Sequence, residues 1–134
     1  MIIRDYDSRD LPEIQRIHEL KSIDYALPDL HSPLFLVKKV AEEKGRVVMA
    51  LGAYIQAETY LWMDPGDWAS PREKLKVLHN LQAEFLNDLY LKGVDCAVAY
   101  VPQEIEKHFG KRMTALGWSQ NRDGWRTWGR STKQ

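Results

Sequence analysis

The sequence predicts a mixed α/β fold, and three observations carry that prediction. Residues 71–92 form a long amphipathic helix with a start signal and a stop signal. Apolar strand-like runs at 58–63 and 96–101 flank it, so the unit reads strand–helix–strand. Two further runs, 34–43 and 46–55, are separated only by Lys44-Gly45, the spacing of a tight antiparallel hairpin. A strand–helix–strand unit implies a parallel pair with a right-handed crossover, and a hairpin implies an antiparallel pair, so the sheet is expected to be mixed.

Each element has its own reason. Residues 2–4 read as a first strand. Asp10 is an N-cap candidate, with Glu13 placed to complete a capping box and Pro12 tolerated in the first turn. Leu11, Ile14, Ile17 and Leu20 then form an apolar stripe, which sets a helix over 11–21. Pro28 and Pro33 break regular structure in 22–33, which reads as loop. The run 34–43 has two readings. Ser32-Pro33 could cap a helix with Leu34, Val37 and Val40 on one side, or the run could be a strand ending at the Lys44-Gly45 turn. The hairpin accounts for both runs and the short turn together, so a strand is expected.

A strand over 58–63 leads into a break at Asp64-Pro65-Gly66-Asp67. Ser70 caps the next helix, Pro71 takes its first position and Glu73 completes a capping box. Leu75, Leu78, Leu81, Phe85 and Leu89 mark its apolar face, and Gly93 ends it in a left-handed cap. The apolar run 96–101 suits a strand covered on both faces. Pro102 opens a third helix with Ile105, Phe109, Met113 and Leu116 inward and Gly117 at its end. Trp118-Ser119-Gln120, a turn at Asp123-Gly124 and the run 125–129 suggest a closing hairpin. The expectation is one domain over 1–130, with about six to seven strands and three main helices, and a frayed tail at 131–134.

Composition narrows the function classes. The chain has 134 residues, 44% hydrophobic and 28% charged, the balance of an ordinary globular domain that needs no disulfide or metal to fold. Lys plus Arg and Asp plus Glu both number 19, and this zero net charge argues against a bulk nucleic-acid binder. Cys96 is the only cysteine, so no intramolecular disulfide or zinc ribbon can form, and a reducing, cytoplasmic setting is expected. No apolar stretch is long enough to cross a bilayer, so no membrane partner is expected.

The element order, with these lengths, resembles the GNAT superfamily of acyl-CoA-dependent N-acetyltransferases. Ile3-Arg4 followed by Asp10-Leu11-Pro12 is similar to the family's opening strand and helix. Glu42-Glu43-Lys44-Gly45-Arg46-Val47-Val48 resembles its second hairpin, and Tyr60-Leu61-Trp62-Met63-Asp64-Pro65 resembles the strand that leads to its cofactor site. Thr114-Ala115-Leu116-Gly117-Trp118 resembles its helix-to-strand ending. The resemblance covers nearly the whole chain.

The resemblance implies acetyl transfer from acetyl-CoA, as cosubstrate, to a small-molecule or peptide amine. It implies that the pantetheine arm enters where strands over 58–64 and 95–101 splay, and that the pyrophosphate sits at the start of the helix that follows, where unpaired N–H groups favour anions. The cofactor-binding set so implied is Met63, Asp64, Ala69, Ser70, Arg72 and Lys74. Overlaying helix starts puts Gly66, Ala69 and Pro71 where the family has its Arg/Gln and two small residues, so the phosphate motif is degenerate: Ala69 adds a Cβ, Pro71 brings no N–H, and Glu73 adds negative charge.

The implied catalytic pair is Glu58 as general base and Tyr100 as acid, because Met113 stands where many relatives place a tyrosine. The loop with Asp24, Tyr25, Asp29 and His31 borders the acceptor site in relatives and is the implied substrate-binding set. The four histidines have no ligand-spaced partner, so no metal site is expected; His18 and His79 read as helix-flank residues. Lys107, Lys111, Arg112, Arg122, Arg126 and Arg130 read as solvated surface around a tryptophan-rich hairpin, which could instead join two copies of the chain in a homodimer. The alternative reading is a GNAT-fold binding or interaction protein without catalytic activity.

Overall fold

The computed structural model describes residues 1–22, 24–120 and 127–132. It is mixed α/β: β1 (Ile2–Asp5), a 3-10 turn (Ser8–Asp10), α1 (Leu11–Lys21), β2 (Phe35–Glu43), β3 (Arg46–Tyr54), β4 (Ala57–Glu58), α2 (Pro71–Leu91), β5 (Ala97–Val98) and α3 (Gln103–Ala115). The chain divides into two compact units, Met1–Thr59 with Phe85–Val98, and Tyr60–Glu84 with Ala99–Gln134.

In the first unit, β1, β2 and β3 form an antiparallel sheet in that order. Ile2 pairs with Glu42 and Asp5 with Lys39, while Glu43 pairs with Arg46 across the hairpin. The turn is the expected Lys44-Gly45. Both residues have positive φ, 51° and 77°, which matches the right-handed twist of the flanking strands. The most buried apolar side chains are Val40 on β2 and Val47 on β3, at 2% and 3% exposure. α1 lies against β3.

The register of β2 slips between Phe35 and Val37. A bulge of this kind re-aims side chains, and here both Phe35 and Lys38 come to line one cavity. Gly52, paired with Lys38, makes room for it: a Cβ there would stand 3.0 Å from Phe35 Cε1.

β4 and β5 pair in parallel, Ala57 with Ala97 and Glu58 with Val98. The Ala57 N–H donates to the Cys96 carbonyl at 2.9 Å and the Thr59 N–H to the Val98 carbonyl at 2.7 Å. The parallel pair across a helix is as expected, but the strands are shorter than 58–63 and 96–101. Tyr60 and Trp62 still stack at 5.8 Å, the same-face relation of residues two apart in extended chain. Strand propensity is present there, and propensity alone does not make a strand.

In the second unit the long helix starts at Pro71 as expected. Glu73 N–H donates to Ser70 Oγ at 3.3 Å, and Ser70 N–H donates to Glu73 Oε2 at 2.9 Å, so the capping box closes in both directions. In the first unit its far end stops at Gly93, φ 81°, with the Gly93 N–H bound to the Tyr90 carbonyl. The expected apolar face is present but poorly covered: Leu75, Leu81 and Phe85 are 38%, 58% and 37% exposed. Periodicity specifies which face is apolar; it does not supply the surface that covers it.

α3 follows Pro102 and ends at Gly117, φ 90°. Gln82 ties this end to α2. Its Nε2–H donates to the Leu116 carbonyl at 2.8 Å, and its Oε1 accepts from Trp118 Nε1–H at 2.7 Å. Residues 118–120 and 127–129 form no strand. The expected turn at Asp123-Gly124, with Arg122, Trp125 and Arg126, lies outside the described residues. The described residues therefore hold three antiparallel and two parallel strands, not a continuous sheet of six or seven. Among them no helix is long and apolar enough to cross a membrane.

Candidate functional site

The start of α2 is where the sequence placed anion binding, and two of its backbone N–H groups, those of Ser70 and Glu73, are already occupied. The Glu73 carboxylate takes the Ser70 N–H, and the Ser70 hydroxyl and N–H together hold the Glu73 carboxyl below its ordinary pKa. Upstream, Asp64 Oδ1 accepts the Gly66 N–H at 2.7 Å and the Asp64 carbonyl accepts Trp68 Nε1–H at 3.1 Å. Lys74 turns back over this loop. Its Nζ donates to the Gly66 carbonyl at 2.7 Å and lies 5.3 Å from the Trp68 ring centroid. Of the implied cofactor residues, Asp64, Ser70 and Lys74 thus stabilise the loop and cap. Met63 is 44% exposed and Ala69 half-buried, with no further role in that network.

Arg72 is placed differently. It lines a cavity of about 590 Å³ with Lys76 and His79 from α2, backed by Leu75 and by Ala115 and Leu116 at the end of α3. Positions 72, 76 and 79 are four and three apart, so three basic side chains share one helix face. The ion pairs among the described residues leave Arg72 and Lys76 unmatched. Glu73 also borders the cavity, with its carboxylate spent on Ser70. The Gln82 bridge to Leu116 and Trp118 fixes the apolar wall opposite the basic face. Such an arrangement can hold a polyanion through side chains, with an apolar surface beside it.

The implied catalytic residues occupy strand ends. Glu58 is the last residue of β4 and is exposed. Tyr100 stands two residues past β5, 63% exposed. Glu58 belongs to the first unit and Tyr100 to the second. Among the described residues no group of three or more His, Cys, Asp or Glu could hold a metal ion.

The loop expected to border the acceptor is anchored to α1. His18 Nε2–H donates to the Tyr25 carbonyl at 2.8 Å, and the two rings meet edge-on at 5.0 Å. Asp29 Oδ1 accepts the His31 N–H at 2.9 Å, a local turn bond. Of the four implied substrate residues, Tyr25 lines a cavity of about 300 Å³ between α1, this loop, β2 and β3; Asp24, Asp29 and His31 are not part of that lining.

Sequence reasoning missed Lys76, His79, Tyr6 and Lys38. For the first two a signal existed, the spacing of three basic residues along one helical stripe, although His79 was read as a flank residue. Tyr6 and Lys38 carried none, because the antiparallel register of β1 on β2, a pairing between segments far apart in sequence, brings them together. No family model, no curated protein and no solved structure matches this chain.

Proposed function

We propose that the chain is a GNAT-like N-acetyltransferase that moves an acetyl group from acetyl-CoA to a small-molecule or peptide amine. The observation that carries the reading is the cavity at the start of α2, where Arg72, Lys76 and His79 present basic groups to a space with an apolar wall. In this reading the phosphates of CoA are held by these side chains, because the backbone N–H of Ser70 is committed to Glu73. The parallel β4–β5 pair, joined through α2, supports the same reading, and its pairing ends at Thr59 and Val98. The proposed sheet extends these strands through 60–63 and 99–101 and adds the closing hairpin, to reach six or seven strands. Glu58 takes the proton of the attacking amine, and Tyr100 returns one to the thiolate as the C–N bond forms and the C–S bond breaks.

The alternative is a binding or interaction protein of the same fold without activity. The closed capping box favours it, since the Glu73 carboxylate stands where an anionic ligand would otherwise find the helix N-terminus. Titration of CoA against three variants separates the two. Arg72→Ala and Lys76→Ala should each weaken binding by about tenfold, the usual worth of a charged hydrogen bond. Glu73→Gln should tighten it, by removing the competing carboxylate. No CoA binding by the parent would favour the alternative. Parent binding with unchanged affinity in all three variants would place the phosphates elsewhere.

A further inference from the structure

The cavity of the first unit presents unmet chemistry of its own. Lys38 and Tyr6 both line it. Lys38 is half-buried, and its ammonium donates to the Leu30 carbonyl at 2.6 Å and lies 4.9 Å from the Tyr6 ring centroid and 6.0 Å from that of Phe35. Among the described residues no carboxylate pairs with it. An ammonium has three donors; one carbonyl and two ring faces leave its charge without a counter-ion. The Tyr6 hydroxyl oxygen is buried with no hydrogen-bond partner. Burial pushes its pKa up, so it remains a proton donor at neutral pH. Buried polar groups are nearly always satisfied, and one that is not needs an explanation. Most of the remaining wall is apolar or aromatic, including Ile14, Ile17, Leu27 and Tyr25, with His18, Lys21 and Lys39 also on the lining.

We propose that this cavity binds a small carboxylic acid with an aromatic or branched apolar body, its carboxylate held by Lys38 Nζ and the Tyr6 hydroxyl. The sign of the charge selects the class. Asp7, Asp10 and Asp29 lie within electrostatic range of Tyr6, but Asp10 is held by Arg4, Asp7 by Arg9, and Asp29 is 74% exposed beside His31. Lys39 is likewise spent on Asp5. Among the described residues the cationic groups at the cavity without an ion pair are therefore Lys38 and Lys21, and a cationic ligand would meet them uncompensated. A water molecule could satisfy Tyr6 but would leave the ammonium without an anion. A volume of about 300 Å³ is at the small end of ligand sites, which suits one ring or one branched chain. The inference does not rest on acetyl transfer, and it needs no CoA for its test.

The experiment is calorimetric titration of the full chain with phenylacetate and isovalerate, with phenylacetamide and isovaleramide as neutral isosteres and phenethylamine as the cation. At least one carboxylate should bind with a Kd of about 1 mM or tighter, and its amide and the amine should be at least about tenfold weaker. Lys38→Met should abolish the preference for the carboxylate. Tyr6→Phe should weaken the carboxylate by about fivefold or more while leaving the melting temperature unchanged or higher, since it removes a buried oxygen that bonds to nothing in the free protein. If Lys38→Met does not fold, Tyr6→Phe decides. The proposal is overturned if neither carboxylate saturates by about 10 mM, if amide or amine binds as well, or if Tyr6→Phe leaves the affinity unchanged.

Discussion

Asp10 shows how one side chain can be drawn into a different role from the one its neighbours suggest. The pattern Asp10…Glu13 reads as a capping box, yet an overlapping box, Asp7…Asp10, forms instead around the 3-10 turn. Asp10 Oδ2 accepts the Asp7 N–H at 2.8 Å, and both its oxygens accept from the Arg4 guanidinium at 2.8 Å. The arginine decides between two boxes that look alike as short patterns, because a bidentate ion pair outweighs a single capping bond. Arg4 also pairs with Glu42, so it links β1, β2 and the helix entry. The Arg4 bonds hold the Asp10 carboxyl at a pKa of about 2, below its ordinary 3.8. A depressed carboxyl contributes stability above its unfolded pKa and loses it as the pH falls through its folded pKa. Stability should therefore drop between pH 3.8 and about 2. Asp10→Asn should cost on the order of 2 kcal/mol at neutral pH and flatten that part of the profile. Urea titrations of both proteins across this range check it; parallel profiles would remove Asp10 as the acid-sensitive group.

At the scale of elements, what was legible in the sequence is what forms from residues close together. The Lys44-Gly45 turn, the Ser70–Glu73 box and the glycine stops at Gly93 and Gly117 each close within a few residues, and each stands where the sequence placed it. The strands expected at 58–63 and 96–101 depend on partners, and among the described residues the ladder forms over 57–58 and 97–98. The same distinction governs the sites. Arg72, Lys76 and His79 share a helix face through a spacing that the sequence contains although only Arg72 was picked out, whereas the Tyr6–Lys38 cluster depends on the long-range register of β1 on β2. The cap of α2 gives a direct test of local energetics. Ser70→Ala should cost about 1 kcal/mol, the usual loss for an N-cap. Glu73→Gln should leave the melting temperature unchanged, since Gln completes the box as well. Thermal denaturation of the two variants checks this; a large loss in Glu73→Gln would mean that its charge, and not its hydrogen bond, holds the helix start.

At the scale of the whole molecule, the two units carry different chemistry. The first holds an antiparallel sheet, a short parallel pair and an aromatic cavity whose Lys38 ammonium meets no carboxylate among the described residues. The second holds a basic cavity between the start of α2 and the end of α3. The acetyl-CoA reading joins the order of elements to that basic cavity, and its central claim is that the cavity takes the phosphates of the cosubstrate. The most direct measurement is the melting temperature of the full chain with and without acetyl-CoA. Ligand at about a hundred times its Kd stabilises a fold by roughly 2.7 kcal/mol, which for a domain of this size is a rise of roughly 5 °C or more. The account predicts that rise, and predicts that it is lost in the Arg72→Ala, Lys76→Ala double variant. An unchanged melting temperature at millimolar acetyl-CoA would contradict it.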